Sequence, residues 1–300
     1  MHAAPRPLAR ATVPVLAALM LAGGCTRIIT RAAGSALVAD GTLFAAEDDP
    51  ELVRQALPFG LKTLEGLLAK APADDRLLLA AASGFAQYAY AFVQQEAEFL
   101  AGKDPDAGRA GLARARRLYL RARDYGLRGL EARHPGFSAA LAADPKAALS
   151  RARREDVPLL YWTLAAWGGW VAQSKDDMQA VGQLPRVEAL LERALALDEG
   201  WDGGSLHEFA VTYHGARGDH ARARSHFDRA LALGSGLRQG PRVAFAETVC
   251  VATQDRRAFD RLLDQALAFD ADRLPAHRLA NLLAQSRARW LKARAEDLFL

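Results

Sequence analysis

Arg229-Ala-Leu-Ala-Leu-Gly234 is the stretch that decides the fold, because it recurs almost unchanged elsewhere in the chain. Related copies are Arg193-Ala-Leu-Ala-Leu-Asp198 and Gln265-Ala-Leu-Ala-Phe-Asp270, and consecutive copies begin 36 residues apart. This spacing leaves room for two helices in each unit and is typical of proteins built from stacked helical repeats. The repeat therefore predicts a row of helical hairpins.

The clearest repeat unit spans residues 205–235. Its first helix is predicted from apolar residues at helical spacing, which are Leu206, Phe209, Ala210 and Tyr213. A turn at Gly218-Asp219 follows, and the second helix offers small, aromatic and small residues at Ala223, Phe227 and Ala230. Small residues let neighbouring helices approach closely, as stacked tetratricopeptide-like (TPR-like) hairpins require. We predict an all-α fold of stacked TPR-like hairpins, an α-solenoid with a right-handed superhelical path.

The N-terminal half is also predicted to be helical. Asp49-Pro50-Glu51 has the capping carboxylate, the early proline and the acidic first turn of a helix start. Further helices are expected at residues 112–130 and from Val157-Pro158 onward, with a break at His134-Pro135-Gly136. The sequence shows no convincing alternation of apolar and polar residues, so no strand is expected.

The first 24 residues have the pattern of a bacterial lipoprotein signal peptide. Arg6 and Arg10 precede an apolar stretch that ends at Cys25 and is shorter than the roughly 20 residues of a membrane-spanning helix. Cys25 is the predicted lipidation site, and the alternative is an ordinary cleaved signal with an incidental cysteine. Residues 25–46 are predicted to tether the domain 47–300. Thr26 in place of Asp after the lipidated cysteine favours the outer membrane.

Charge and cysteine content limit the kinds of partner and of chemistry that this chain is expected to have. The chain has 39 basic and 35 acidic side chains, and two of the basic ones belong to the signal. The mature chain is therefore nearly neutral, which does not favour a nucleic-acid partner. Cys250 lies in the apolar run Val249-Cys250-Val251, where an inert packed thiol is expected.

The most unusual internal segment is Tyr161-Trp-Thr-Leu-Ala-Ala-Trp-Gly-Gly-Trp170. At helical spacing its three indoles fall on one face, and Gly168 and Gly169 invite the close approach of a helix or a ligand. Core packing is one interpretation, and an apolar cavity or subunit contact is the other. The candidate ligand or partner surface consists of Trp162, Trp167, Trp170, Phe85 and Tyr88.

Charged side chains give two weaker hypotheses. Arg114, Arg121 and Arg128 share one helical face, which indicates either a solvated surface or attraction to anionic lipid headgroups or an acidic partner. The histidines lack the His-Glu-x-x-His spacing of zinc proteases, and three of them are expected not to converge: His214, His220 and His226. We therefore predict no metal, no cofactor and no catalytic residues.

Several segments together resemble the T component (TatT) of TPR-associated TRAP transporters. They are the residues 47–59, 79–93 and 161–170, Arg278-Leu-Ala-Asn-Leu-Leu283 and the terminal Leu-Phe-Leu300. The resemblance implies a periplasmic lipoprotein that forms a homotrimer, pairs with the transporter's solute-binding protein and helps transfer a hydrophobic ligand. Only Cys25 carries across from the family as a functional residue.

These observations favour a non-enzymatic transport accessory. An alternative is a TPR scaffold lipoprotein of an envelope assembly complex, which would co-purify with a β-barrel or cell-wall complex. A third is a hydrolase on a helical scaffold.

Overall fold

A computed structural model of the chain describes residues 44–300. Within this range the secondary structure is helical and contains no β-strand, which confirms the all-α prediction. The predicted signal peptide, Cys25 and most of the predicted tether lie outside the described residues. No helix of the described range is long and apolar enough to cross a membrane.

The longest helices lie in the first half of the described chain. Its helices are α1 (Pro50–Lys70), α2 (Asp75–Tyr88), α3 (Gln95–Leu100), α4 (Pro105–Arg133), α5 (Phe137–Ala143), α6 (Pro145–Ser150) and α7 (Val157–Ala172). A π-helical segment, π1 (Ala89–Gln94), joins α2 to α3 without a break, and a 3-10 turn (Arg154–Asp156) precedes α7.

The second half contains the repeat hairpins. Its helices are α8 (Met178–Val181), α9 (Leu184–Asp198), α10 (Ser205–Gly215), α11 (His220–Leu233), α12 (Gly240–Phe245), α13 (Arg256–Leu267), α14 (Arg278–Ala293) and α15 (Ala295–Leu298). A second π-helical segment, π2 (Ala246–Cys250), continues α12. Short 3-10 turns lie at Trp201–Gly203, Ala271–Arg273 and Pro275–His277.

Aspartate caps explain where many of these helices begin. Asp49 accepts hydrogen bonds from the backbone N–H groups of Glu51 and Leu52, as its position before Pro50 predicts. The helix predicted at residues 112–130 is longer at both ends. It starts at Pro105, because the Asp104 carboxylate caps it by accepting from the N–H of Ala107.

Successive helices pack against one another along the chain. The three copies of the repeat motif lie at the ends of α9, α11 and α13, the second helices of their hairpins. The apolar residues predicted for α10 and α11 fill the interior between them, and Ala210, Ala223 and Phe227 are buried. The structure therefore confirms that the repeat motif belongs to an all-α arrangement of helices packed in succession.

The last long helix returns to the first one. Leu279 of α14 is buried in the same core as Val53 and Leu61 of α1. The rings of Phe99 and Trp290 pack with centroids 5.3 Å apart. These contacts bring the two ends of the described chain together.

The last residues of the predicted tether also contact the domain. Phe44 packs against the α1 core, and the Arg278 guanidinium donates to the carbonyl oxygen of Ala46 over 3.0 Å. The chain therefore joins the domain at residues 44–46, beside the contact between α1 and α14.

Candidate functional site

Tyr90 marks an interior surface of the molecule. Its side chain, on π1, is 50% exposed, yet loss of surrounding water raises the pKa of its hydroxyl to about 12. The charges that act on it come from distant parts of the chain, namely Arg287 of α14, Glu247 of π2, Glu208 of α10 and Glu98 of α3. Because this side chain is half exposed and still influenced by all four charges, we infer that Tyr90 lines a concave surface between these elements, called the interior surface below.

A buried arginine lies close to this surface. Arg287 is only 8% exposed, and its guanidinium donates to Glu98 over 2.5 Å and to Glu247 over 3.1 Å. Burial alone would lower the pKa of Arg287, but Glu247 and Glu98 raise it above its usual value. Its guanidinium also lies over the Trp290 ring, 4.3 Å from the centroid. Arg287 thus connects α3 to π2 across the contact between the chain ends.

A second charged cluster surrounds Arg238. Its guanidinium donates to Asp202 over 3.0 Å and to Glu208 over 2.9 Å. The Nε2 atom of His277 lies 3.6 Å from the second Asp202 oxygen. Glu208 acts on both Tyr90 and Arg238, so this cluster borders the same interior surface.

Aromatic rings extend this surface along α7. Burial, with help from the Glu208 carboxylate, raises the pKa of the Tyr161 hydroxyl well above its usual value. The Tyr161 ring meets Trp162 edge-on with centroids 4.9 Å apart and Trp201 at 4.6 Å. The interior surface therefore combines aromatic rings with paired charges: Tyr90, Tyr161, Trp162, Arg238 and Arg287, with their acids.

The three predicted indoles of α7 divide between two cores. Trp167 is 5% exposed and lies in the core that α7 shares with α9 and α10. Trp162 packs against the core of α1, α2 and α4, and Trp170 touches both cores. Trp162 and Trp170 are the two that keep partial exposure.

Aromatic side chains from neighbouring helices pack directly against the two glycines of α7. A Cβ atom on Gly168 would lie 2.8 Å from the Phe209 ring of α10, and one on Gly169 would lie 2.7 Å from the Tyr119 ring of α4. The close approach predicted for this segment is therefore made by side chains of α4 and α10.

Phe85 and Tyr88 are buried where α2 packs against α4. Phe85 stacks on Tyr125 with ring centroids 5.7 Å apart. The guanidinium of Arg121 lies 5.3 Å from the Phe85 ring, and that of Arg114 lies 5.5 Å from the Tyr88 ring. The arginines predicted to form a solvated or lipid-attracting face are exposed, but they also cover these rings.

The prediction that the histidines do not converge is wrong for two of them. His214 and His226 stack in parallel with ring centroids 5.3 Å apart, because the hairpin of α10 and α11 folds them together. His207 joins them, with its Nδ1 atom 2.8 Å from Nδ1 of His226. Burial lowers the pKa of all three, to about 4 for His226. Residues 44–300 nevertheless contain no group of three or more His, Cys, Asp or Glu able to hold a metal ion.

Cys250 is buried, and burial raises the pKa of its thiol to about 11. A thiol with this pKa is almost fully protonated at neutral pH and is a poor nucleophile. The structure agrees with the packing role predicted from its apolar neighbours.

The acids and arginines of the interior surface were not predicted from the sequence. Glu98 and Arg287 are 189 residues apart, and no motif connects them. Both π-helical segments carry a member of the surface, Tyr90 on π1 and Glu247 on π2. Segments of π-helix often mark functional sites, but their sequences give no sign of this geometry.

Fold and interior surface together define a helical-repeat protein with a surface of aromatic rings and paired charges between its helices. The chain belongs to the TRAP transporter T-component family, whose sequence profile matches residues 46–299. It is also similar to an uncharacterized protein of Treponema pallidum (strain Nichols), with 32% identity over 267 residues, which are 86% of this chain and 83% of the relative. The resemblance noted from the sequence is thus confirmed, and the protein is an accessory component of a TRAP transport system.

Proposed function

We propose that the chain is a non-enzymatic lipoprotein that docks the solute-binding protein of a TRAP transporter and assists transfer of a hydrophobic ligand. The observation that carries this proposal is the interior surface around Tyr90, to which residues from both halves of the described chain contribute. Its aromatic rings suit an apolar ligand, and its paired charges leave little net charge to repel one.

The accessory acts, in this proposal, outside the cytoplasm. A diacylglycerol on Cys25 anchors it, and Thr26 directs it to the outer membrane. TPR-like hairpins on the 36-residue spacing supply a curved face for the binding protein, and three copies assemble as the family resemblance implies.

The chain's two cysteines make anchoring directly testable. Cys25→Ser should release the protein from the membrane fraction, whereas Cys250→Ser should leave it anchored, and mass spectrometry of the native protein should find acyl groups on the N-terminal cysteine. A membrane-bound Cys25→Ser protein would contradict the anchor.

Partner docking is tested with purified proteins. A TRAP solute-binding protein from the same bacterium should co-elute with the Cys25→Ser protein in size-exclusion chromatography, and light scattering should give a trimeric mass for the chain alone. Co-purification with a β-barrel assembly complex in place of a binding protein would favour the scaffold alternative.

Ligand entry is tested by fluorescence. Bromine quenches indole emission on contact, so 2-bromohexadecanoate bound inside should quench Trp162. The variant Trp162→Phe should then show a smaller quenched fraction. Trp167→Phe, on the same helix but buried in the neighbouring core, removes an unquenched indole and should show a quenched fraction at least as large as that of the wild type. Equal quenching in both variants would exclude the interior surface as the ligand site.

A further inference from the structure

A groove beside α12 contains two arginines that form no ion pair with a carboxylate of residues 44–300. It has a volume of about 460 Å³ and lies between the end of α13 and the turn that follows α11. Its polar side chains include Arg242, Arg273, Gln239 and Gln265, and its apolar ones include Phe269 and Leu237.

Arg242 is held in place by neutral acceptors. Its Nη1 atom donates to the carbonyl oxygen of Gly236 and to the side-chain oxygen of Gln239, each over 3.1 Å, and Nε donates to Gln265 over 3.3 Å. Within residues 44–300 no carboxylate lies within ion-pair distance of this half-buried guanidinium. Burial lowers the pKa of Arg242, and no nearby acid opposes the effect.

Arg273 supplies a second positive charge at the same groove. Its guanidinium lies over the Phe269 ring, 5.5 Å from the centroid, and forms no ion pair among the described residues. Arg238 and Arg287, by contrast, each pair with two carboxylates. The residues that line the groove therefore include two guanidinium groups and no carboxylate, an arrangement that favours an anion.

The turn at Ser235 and Gly236 leaves one side of Arg242 open. Both residues have positive φ, of 51° and 67°, and a Cβ on Gly236 would lie 3.4 Å from Nη2 of Arg242. Glycine thus keeps side-chain atoms away from the Nη2 atom, which makes no hydrogen bond within the described residues. Guanidinium N–H groups of this kind bind carboxylates with charge-assisted hydrogen bonds.

We propose that this groove binds a small organic acid. Its carboxylate contacts Arg242 and Arg273, and its apolar part lies against Phe269 and Leu237. The volume falls in the range of about 300–1,000 Å³ that small-molecule sites occupy. The groove is separate from the interior surface around Tyr90, so this inference does not depend on the proposed transfer function.

Calorimetric titration of the purified Cys25→Ser chain with hexanoate tests the site, with hexanol and inorganic sulfate as comparison probes. Hexanoate should bind more tightly than either. Loss of one charge-assisted contact should weaken it by roughly 10-fold in Arg242→Gln and by several-fold in Arg273→Gln. Arg261→Gln, an equal loss of charge on the exposed face of α13, should change the affinity less than about 2-fold.

Arg273→Gln should fold normally, because the Arg273 side chain donates no hydrogen bond to the described chain. A loss of hexanoate affinity in this variant therefore reports on the site and not on misfolding. The proposal is overturned if hexanoate does not bind, if hexanol binds equally well, if sulfate alone binds, or if Arg273→Gln leaves the hexanoate affinity unchanged.

Discussion

His226 shows how one residue can couple stability to pH. Its ring stacks on His214, and its Nδ1 atom lies 2.8 Å from Nδ1 of His207. The charged neighbours of the cluster are Glu188, Glu199, Arg217, Asp219, Arg222 and Arg229. Burial first, and then the two other histidines, lower the pKa of His226 to about 4. Because this value lies below that of an unfolded histidine, about 6.5, the unfolded chain binds the proton more readily. Stability is therefore complete above pH 6.5 and falls as the pH drops toward 4.

The variant His226→Gln should weaken this pH dependence. We expect the loss of unfolding free energy between pH 7.5 and pH 4.5 to shrink by on the order of 2 kcal/mol, because one proton is no longer taken up on unfolding. Urea titrations at the two pH values measure it. His220→Gln, on the same helix but outside the stacked cluster, is the control and should keep the wild-type dependence. An unchanged slope in His226→Gln would rule out the buried histidine as its source.

At the scale of single elements, α7 contains two glycines that lower its helix propensity but allow close packing. Gly168 and Gly169 weaken an isolated helix by about 1 kcal/mol each relative to alanine. Their missing Cβ atoms make room for the Phe209 and Tyr119 rings, which belong to helices on either side. The sequence predicted close approach at this point but not that α4 and α10 provide the contacts.

Gly169→Ala should therefore destabilise the protein even though alanine is the better helix former. A Cβ placed 2.7 Å from the Tyr119 ring must displace it, and overpacking of this kind typically costs 1–3 kcal/mol. Gly66→Ala in α1 is the matched control, since nothing lies within 4 Å of the added atom and about 0.4–1 kcal/mol of stabilisation is expected. Thermal unfolding compares the two, and a stabilised Gly169→Ala would contradict the packing account.

At the scale of the whole molecule, α14 packs against α1 and brings charges from both halves of the described chain to the interior surface. Leu279 supplies apolar contact, and Arg287 joins Glu98 to Glu247. The accessory's interior therefore depends on residues at opposite ends of the described chain.

Arg287→Leu should open this contact. It leaves Glu98 and Glu247 without their cation, and removal of one partner from a buried ion pair typically costs about 3–5 kcal/mol. Hydrogen exchange should become faster in α1, α3 and α14 while α9 stays protected. Arg289→Leu, an exposed position on α14, is the control. Uniformly faster exchange across all helices would mean general destabilisation and would contradict a local closing role.

The sequence alone determined the helical class, many helix boundaries and the order of the hairpins. These features depend on local chemistry, such as the Asp49 cap, the break at His134-Pro135 and the 36-residue spacing of the repeat motif. Each acts through residues a few positions apart, so a linear pattern contains it. The family resemblance came from the same local segments and was confirmed over residues 46–299.

Tertiary structure alone decided which residues face the interior. Glu98 meets Arg287, and Glu208 acts on Tyr90, only because the helices fold back until α14 packs against α1. The tertiary structure also brought His207 onto His226 and left Arg242 without a nearby acid among the described residues. Burial and charge pairing depend on neighbours from distant positions, and a spacing pattern holds no information about which side chains will become neighbours.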